Sequence, residues 1–280
     1  MNKRIEWVVL FFCFYLGAFS TVHAQKTNDG TTKSETSANS KEKDHLEFSH
    51  PLITESISPD TKIRFTYLNT KVQSGITSQQ YVLELEYSPV PVFSLHLDVP
   101  YGTLKSQGAS SFSNLDNIEL TLKFANFAFA NHNVLLGYGI GFGLPTGNDS
   151  KGIGSDHVID VEPFLNAGYL WRKWEWTAYF TFSVPTHQHK GENMQSSLES
   201  RATALYHLNR YWQLLAEFGN ERDISSPSGW NKNYDLLEGF KYLPFGHKPW
   251  ILGAAVRQGL GKNSDLHFQW LLTLFYHFRD

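Results

Sequence analysis

Phe268-Gln269-Trp270-Leu271-Leu272-Thr273-Leu274-Phe275-Tyr276-His277-Phe278, close to the end of the chain, alternates strictly between two faces. Phe268, Trp270, Leu272, Leu274, Tyr276 and Phe278 fall on one; Gln269, Leu271, Thr273, Phe275 and His277 fall on the other. Residues two apart share a side only when the backbone is extended. One face is wholly apolar and rich in rings, and the other is mixed. A strand with lipid on one side and a polar interior on the other has this pattern.

The same period runs upstream. Tyr81, Leu83, Leu85 and Tyr87 oppose Gln80, Glu84 and Glu86; Ile118, Leu120, Leu122 and Phe124 oppose Glu119, Thr121 and Lys123. Read through the chain, it predicts about twelve strands: 62–70, 78–88, 92–101, 115–126, 133–144, 158–170, 174–184, 198–208, 211–221, 233–243, 249–258 and 266–278. Strands near ten residues match a bilayer, and an even count matches a closed bacterial barrel. In the tenth strand Glu238 and Lys241 fall on opposite faces unless a bulge intervenes.

The connections give an independent test. Ser88–Pro91, Arg172-Lys173, Asn209-Arg210 and Pro244–Lys248 are short; 102–114, 145–157, 185–197, 222–232 and 259–265 are long and polar. Short and long alternate, as in outer-membrane barrels, where short turns are periplasmic and long loops external. Tyr87, Phe93, Trp171, Trp174, Tyr211, Trp212, Tyr242, Phe245 and Trp250 flank the short turns, a girdle at one interface. The fold class expected is all-β: a transmembrane antiparallel up-and-down β-barrel spanning 62–280, with both termini periplasmic.

Composition agrees. The chain is 15% aromatic, yet its mean hydropathy is −0.33. Beyond the first 24 residues no apolar run approaches the 18 or so residues of a spanning helix. Those first residues read as a signal peptide: Lys3 and Arg4, an apolar stretch from Val8 to Phe19, and Val22-His23-Ala24 as the cleavage site. The one cysteine, Cys13, lies within it, so neither a disulfide nor a lipid anchor is expected. The whole chain has 24 basic and 27 acidic side chains; removing Lys3, Arg4 and Glu6 leaves 22 and 26, which does not suit nucleic acid. Residues 25–44 carry almost nothing apolar and read as a disordered periplasmic leader. Residues 45–61 carry Phe48, Pro51, Leu52, Ile53 and Pro59, and read as an extended segment entering the barrel as a partial plug.

Several motifs, in order, resemble the bacterial MetA-pathway of phenol degradation family. They are His50-Pro51-Leu52 with Thr54-Glu55-Ser56 and Pro59-Asp60, then Leu97-Asp98-Val99-Pro100-Tyr101-Gly102 and Leu115-Asp116-Asn117-Ile118-Glu119-Leu120. Gly141-Phe142-Gly143-Leu144-Pro145-Thr146-Gly147-Asn148-Asp149 and Asp160-Val161-Glu162-Pro163-Phe164 follow. The resemblance runs from about His50 to Asp280. It implies an outer-membrane barrel of transporter type, passing small solutes, aromatic or hydrophobic ones among them. The last strand also resembles the C-terminal signal read by the barrel assembly machinery, although this chain continues past Phe278 to Arg279 and Asp280.

The polar face of the strands defines the candidate site, a solute pathway lined by Arg64, Glu84, Glu86, His96, Asp98, Glu119, Lys123, Asp160, Glu162, Glu175, Arg201, Glu217 and Arg257, with His207 and His277 on the same face. Gly137, Gly139, Gly141 and Gly143 add a side-chain-free strip on the fifth strand. Four glycines weaken a strand, so they are expected to make room for the 45–61 segment or a substrate, or else to relieve crowding. In a twelve-strand barrel such a face can either line water or pair into a closed network.

Enzyme chemistry is not expected. Outer-membrane lipases carry His-x-Ser-Asn on a lipid-facing strand; His207-Leu208-Asn209 lacks the serine, so acyl transfer has no nucleophile. His187-Gln188-His189 with Glu192 reads as a solvated loop rather than a metal site, and Asn148, Asp149 and Asp156 lack the ligand spacing of an EF-hand. Gly259-x-Gly261-Lys262 is not a phosphate loop, because no Ser or Thr follows the lysine. No cofactor is expected. The partners expected are outer-membrane lipid, the barrel assembly machinery and a small solute.

Overall fold

In the computed structural model the alternating segments form one antiparallel sheet that closes on itself. The structure describes residues 46–72, 75–105, 110–186, 196–224, 232–247, 249–261, 264 and 266–278. The signal peptide, the 25–44 leader, His45, the loop holding His187, His189 and Glu192, and Lys262 lie outside these residues.

The strands are β1 (Lys62–Val72), β2 (Thr77–Val90), β3 (Phe93–Lys105), β4 (Phe112–Leu115), β5 (Glu119–Asn126), β6 (Val134–Gly143) and β7 (Asp160–Trp171). Then come β8 (Trp174–Pro185), β9 (Ser197–His207), β10 (Trp212–Asp223), β11 (Lys232–Tyr242), β12 (Trp250–Leu260) and β13 (Leu266–His277). Apart from β4 and β5, each pairs with its neighbour in sequence, and β1 pairs with β13 from Lys62↔His277 onward, which removes both edges. The short β4 and the longer β5 both pair with β3 and are two lengths of one stave, so the closed barrel has twelve.

Their division is a departure from the expected single strand 115–126, and β3 runs on to Lys105 where a loop was expected from 102. The break at Asp116–Ile118 has a local cause. The Asn117 side-chain oxygen accepts from the backbone N–H groups of Gly147 (3.2 Å) and Ser155 (2.7 Å), and Thr146 Oγ1 accepts from Ile118 N (2.8 Å). The long connection between β6 and β7 is thereby tied across the gap, and two of the motifs noted in the sequence meet there.

The outward face is apolar and exposed: Phe65, Leu83, Leu95, Leu165, Phe180, Leu214, Leu252 and Leu272 all stand on it. Rings pair across the staves at the short-turn end. Trp174 lies 4.7 Å from Tyr206, Trp212 4.7 Å from Tyr242, and Trp250 4.7 Å from Tyr276, centroid to centroid. A second group, Tyr67 with Tyr81 and Trp270, sits nearer the long loops. Apolar flanks between two ring belts suit a bilayer.

One outward side chain breaks the pattern. β11 keeps an uninterrupted register with β10 and β12, so no bulge resolves the opposition of Glu238 and Lys241. Lys241 is buried inside and Glu238 is exposed outside, opposite Ala216 and Val256. A carboxylate at mid-strand on a lipid face is costly. Glu238→Leu is expected to raise resistance to urea in lipid vesicles by about 1–2 kcal/mol; an unchanged or lower midpoint would show that Glu238 meets something other than lipid.

Candidate functional site

Strand alternation places every inward side chain named in the sequence on the interior, and the four glycines with them: Gly137, Gly139, Gly141 and Gly143 all face in. The charges fall into two groups.

The first group lies toward the long loops. Arg201 donates to Asp235 (3.0 and 3.2 Å) and to Glu199 (2.5 Å), while Arg257 reaches the same Asp235 at 2.8 and 2.7 Å. Gly219 lies between β9 and β11 in this row; a Cβ there would meet Arg201 Nη1 and Asp235 Oδ2 at 2.6 Å. Across the lumen Glu119, Glu162 and Asp160 gather over Gly141 and Gly143, whose missing side chains leave room for the carboxylates.

The second group surrounds the segment Leu46–Thr61, which runs inside the barrel without regular structure. An irregular buried backbone must find its hydrogen bonds elsewhere, and here the wall side chains supply them. Glu217, fully buried, accepts from Leu52 N (2.7 Å), Ile53 N (3.3 Å), Thr54 N (3.3 Å) and Thr54 Oγ1 (2.6 Å). Glu175 accepts from Ser49 N (2.7 Å) and Ser49 Oγ (2.8 Å). Lys241 donates to the His50 carbonyl and Arg64 to the Leu52 carbonyl. Lys123 donates to Glu55 (2.7 Å), Ser56 Oγ (3.1 Å) and Glu86 (2.6 Å).

The buried charges here are matched. Lys62 bridges Glu84 (2.7 Å) and Glu86, Arg64 pairs with Glu84 (3.1 Å), and His96 sits between Glu55 (3.2 Å) and Asp98 (3.1 Å). Burial alone would raise the Glu55 carboxyl, but Lys123 and His96 hold it well below the usual carboxylate range. Burial, helped by the Lys62 ammonium, holds the His50 ring well below its ordinary value, so it is neutral.

Apolar contacts complete the seat. Leu52 joins Leu205, Leu215, Leu237, Ile251, Leu271 and Phe275 in one buried cluster, and Phe48 and Ile57 join Ala125 and Leu135 in another. Each of the three lies over a glycine of the wall. A Cβ on Gly168 would come within 2.7 Å of the Phe48 ring, on Gly253 within 2.8 Å of Leu52, and on Gly137 within 3.0 Å of Ile57. Of the strip on β6, then, Gly137 receives the segment. Gly139 instead admits the Phe164 ring and would strike the Leu122 carbonyl, so that part of the strip relieves crowding.

Sequence reading overlooked Lys62, Asn166, Gln213, Asp235 and Lys241, all buried inside. It also overlooked Gly168 and Gly253. Parity alone would have found Asp235 and Lys241, which share the inward face with Leu237. His207, inspected for hydrolase chemistry, points inward and bonds to Glu175 and to Gln213 (3.3 Å), away from lipid.

No family model matches the chain, the MetA-pathway family included, and no curated protein matches it in sequence. Its fold does match solved structures. A COG4313 outer membrane channel from Pseudomonas putida F1 superposes with a TM-score of 0.67 at 16% identity, over 82% of this chain and all of that one. A NanC porin gives 0.51 at 8% identity over 79% and 100% of the two chains, and a KdgM porin 0.50 at 10% over 78% and 99%. At such identities the likeness is one of fold: this chain has the closed-barrel architecture of outer-membrane channels and porins.

Proposed function

We propose that the protein is an outer-membrane channel for small solutes, narrowed from within by the Leu46–Thr61 segment acting as a plug, with both termini periplasmic. The observation that carries this reading is how the segment is held. Its contacts with the wall are hydrogen bonds, ion pairs and a few apolar side chains, Phe48, Leu52 and Ile57 buried with Leu46 and Ile53 beside them, all of which water or a passing solute can replace. A barrel serving only as a structural element gains nothing from an inner wall shaped to a removable occupant. The fold shared with channels and porins supports the reading. So does the family resemblance, which extends it to aromatic and hydrophobic solutes. The last strand, with its alternating rings, is the part offered to the barrel assembly machinery.

The lumen nearer the long loops carries Glu119, Asp160 and Glu162 against Arg201 and Arg257, and both arginines are already tied to Asp235. The unbalanced charge is negative, so cations should be favoured. Purified protein in planar bilayers under a salt gradient is expected to show a cation-selective reversal potential. Glu119→Gln with Glu162→Gln should cut the cation-to-anion permeability ratio by roughly half. Substituting Glu84 should change it less, because Lys62 and Arg64 neutralise that carboxylate. No conductance from the full chain or from a chain lacking Gln25–Asp60 would overturn the channel reading in favour of a non-conducting barrel that acts through its loops.

A further inference from the structure

Three ligating side chains from separate parts of the chain converge where the inner segment joins β1. Asp60 Oδ2 lies 3.0 Å from His50 Nε2 and 2.6 Å from His277 Nδ1. The two imidazole centroids are 5.3 Å apart. His50 belongs to the inner segment, Asp60 ends it, and His277 is the last inward residue of β13. Both histidines are buried, and Asp60 keeps 11% exposure.

The carboxylate is aimed. Its Oδ1 accepts from Thr61 N at 2.6 Å, which leaves Oδ2 to the imidazoles. Glu86 accepts the Asp60 backbone N–H at 3.1 Å and, with Glu84, neutralises Lys62. With protons alone, each ring donates one N–H to the same oxygen and turns its second nitrogen into the interior. For His50 that nitrogen is Nδ1, buried and without a hydrogen-bond partner among the described residues.

We propose that His50, Asp60 and His277 form a binding site for a divalent transition-metal ion of the zinc type, which fastens the inner segment to the closing strand of the barrel. Two imidazole nitrogens and one carboxylate oxygen are the donor set such ions take, with a fourth position left for water. The three ligand atoms lie within 4.8 Å of one another. On binding, each neutral ring turns its Asp60-facing nitrogen to the ion as a lone pair and keeps its single proton on the other nitrogen, a change of tautomer that releases no proton. The Thr61 and Glu86 contacts orient the ligand carboxylate as second-shell partners do in metal sites.

Neither other grouping of this kind among the described residues is as well suited. Glu84, His96 and Asp98 lie together, but Lys62 and Arg64 already occupy Glu84. Asp149, Asp156 and His157 lie on an exposed connection.

The test uses the full chain, folded in detergent, with cobalt(II) as probe. A visible ligand-field band that saturates at about one equivalent, with micromolar affinity, and that zinc(II) abolishes is expected. His50→Gln and His277→Gln should each weaken binding at least about tenfold, while His132→Gln, on an exposed turn, should leave it unchanged. His277 is within a strand, so His50→Gln, which leaves the barrel wall intact, is the decisive variant. Failure of the folded chain to bind cobalt or zinc below millimolar concentration overturns the proposal, as does binding that survives His50→Gln. It rests on the segment being seated, not on conduction. A conducting protein that binds no ion defeats only this inference; an ion-binding protein that never conducts defeats only the channel.

Discussion

Without Gln25–Asp60 the barrel is expected to pass severalfold more current than the full chain at the same voltage. The segment this deletion removes fills the short-turn half of the lumen, where Glu217, Glu175, Lys241, Lys123 and Arg64 all reach it. In its absence those side chains are hydrated rather than stranded, because the space left is polar and open to water. Folding should survive: the ladder from β1 to β13 is closed independently of the segment. What is lost is the burial of Phe48, Leu52 and Ile57, about 1.5–3 kcal/mol each. Heat-modifiable migration on a gel would report the folded barrel, and single-channel recording would report the current. A folded, deleted barrel with unchanged conductance would show that the segment is no obstacle. Glu217→Ala is a milder version. It strips three backbone N–H groups and the Thr54 hydroxyl of their acceptor, at about 1–3 kcal/mol for each donor that water does not rescue. It should produce flickering between the conductance of the full chain and that of the deleted one.

The sequence made the barrel legible because a membrane strand carries its signal in every second residue, and staves that run up and down also alternate their loops. It was less informative where pairing outlasts the bilayer. Residues 102–104 and 112–114 are polar enough to read as loop, yet they pair as β3 with β4. Parity also marked which charges face inward without telling a water-lined wall from a wall met by protein. That distinction depends on which side chains Leu46–Thr61 reaches, and those are contacts between residues up to 217 positions apart, as from His277 to Asp60. Period two cannot encode them. The glycines show the limit well: four in a row on β6 drew attention, while the isolated Gly168 and Gly253, which seat Phe48 and Leu52, looked like ordinary strand residues.

Those two glycines give the sharpest test of the seat, because the expected effect reverses sign with context. A single methyl at Gly168 meets first the Phe48 ring (2.7 Å), and at Gly253 it meets Leu52 (2.8 Å) together with the wall side chain Thr273 Cγ2 (2.7 Å). The Phe48 ring and the Leu52 tip belong to the segment and can give way, so Gly168→Ala should cost little, while Gly253→Ala must also displace the Thr273 methyl and should cost more. An isobutyl group cannot be absorbed in the same way, since overpacking costs about 1–3 kcal/mol at each site. Gly168→Leu with Gly253→Leu should therefore unseat the segment and raise conductance toward that of the chain lacking Gln25–Asp60. In that deleted chain the same pair of leucines projects into an open lumen and should lower conductance instead. If the glycines served only the curvature of β7 and β12, both backgrounds would lose stability and neither would gain current. Gly139→Ala supplies the contrast. Its Cβ would lie 2.3 Å from the Leu122 carbonyl and from the Phe164 ring, both part of the wall. It should destabilise the barrel whether or not the segment is present. Opposite signs at Gly168 and Gly253, together with uniform loss at Gly139, would separate room made for an occupant from room made for the wall itself.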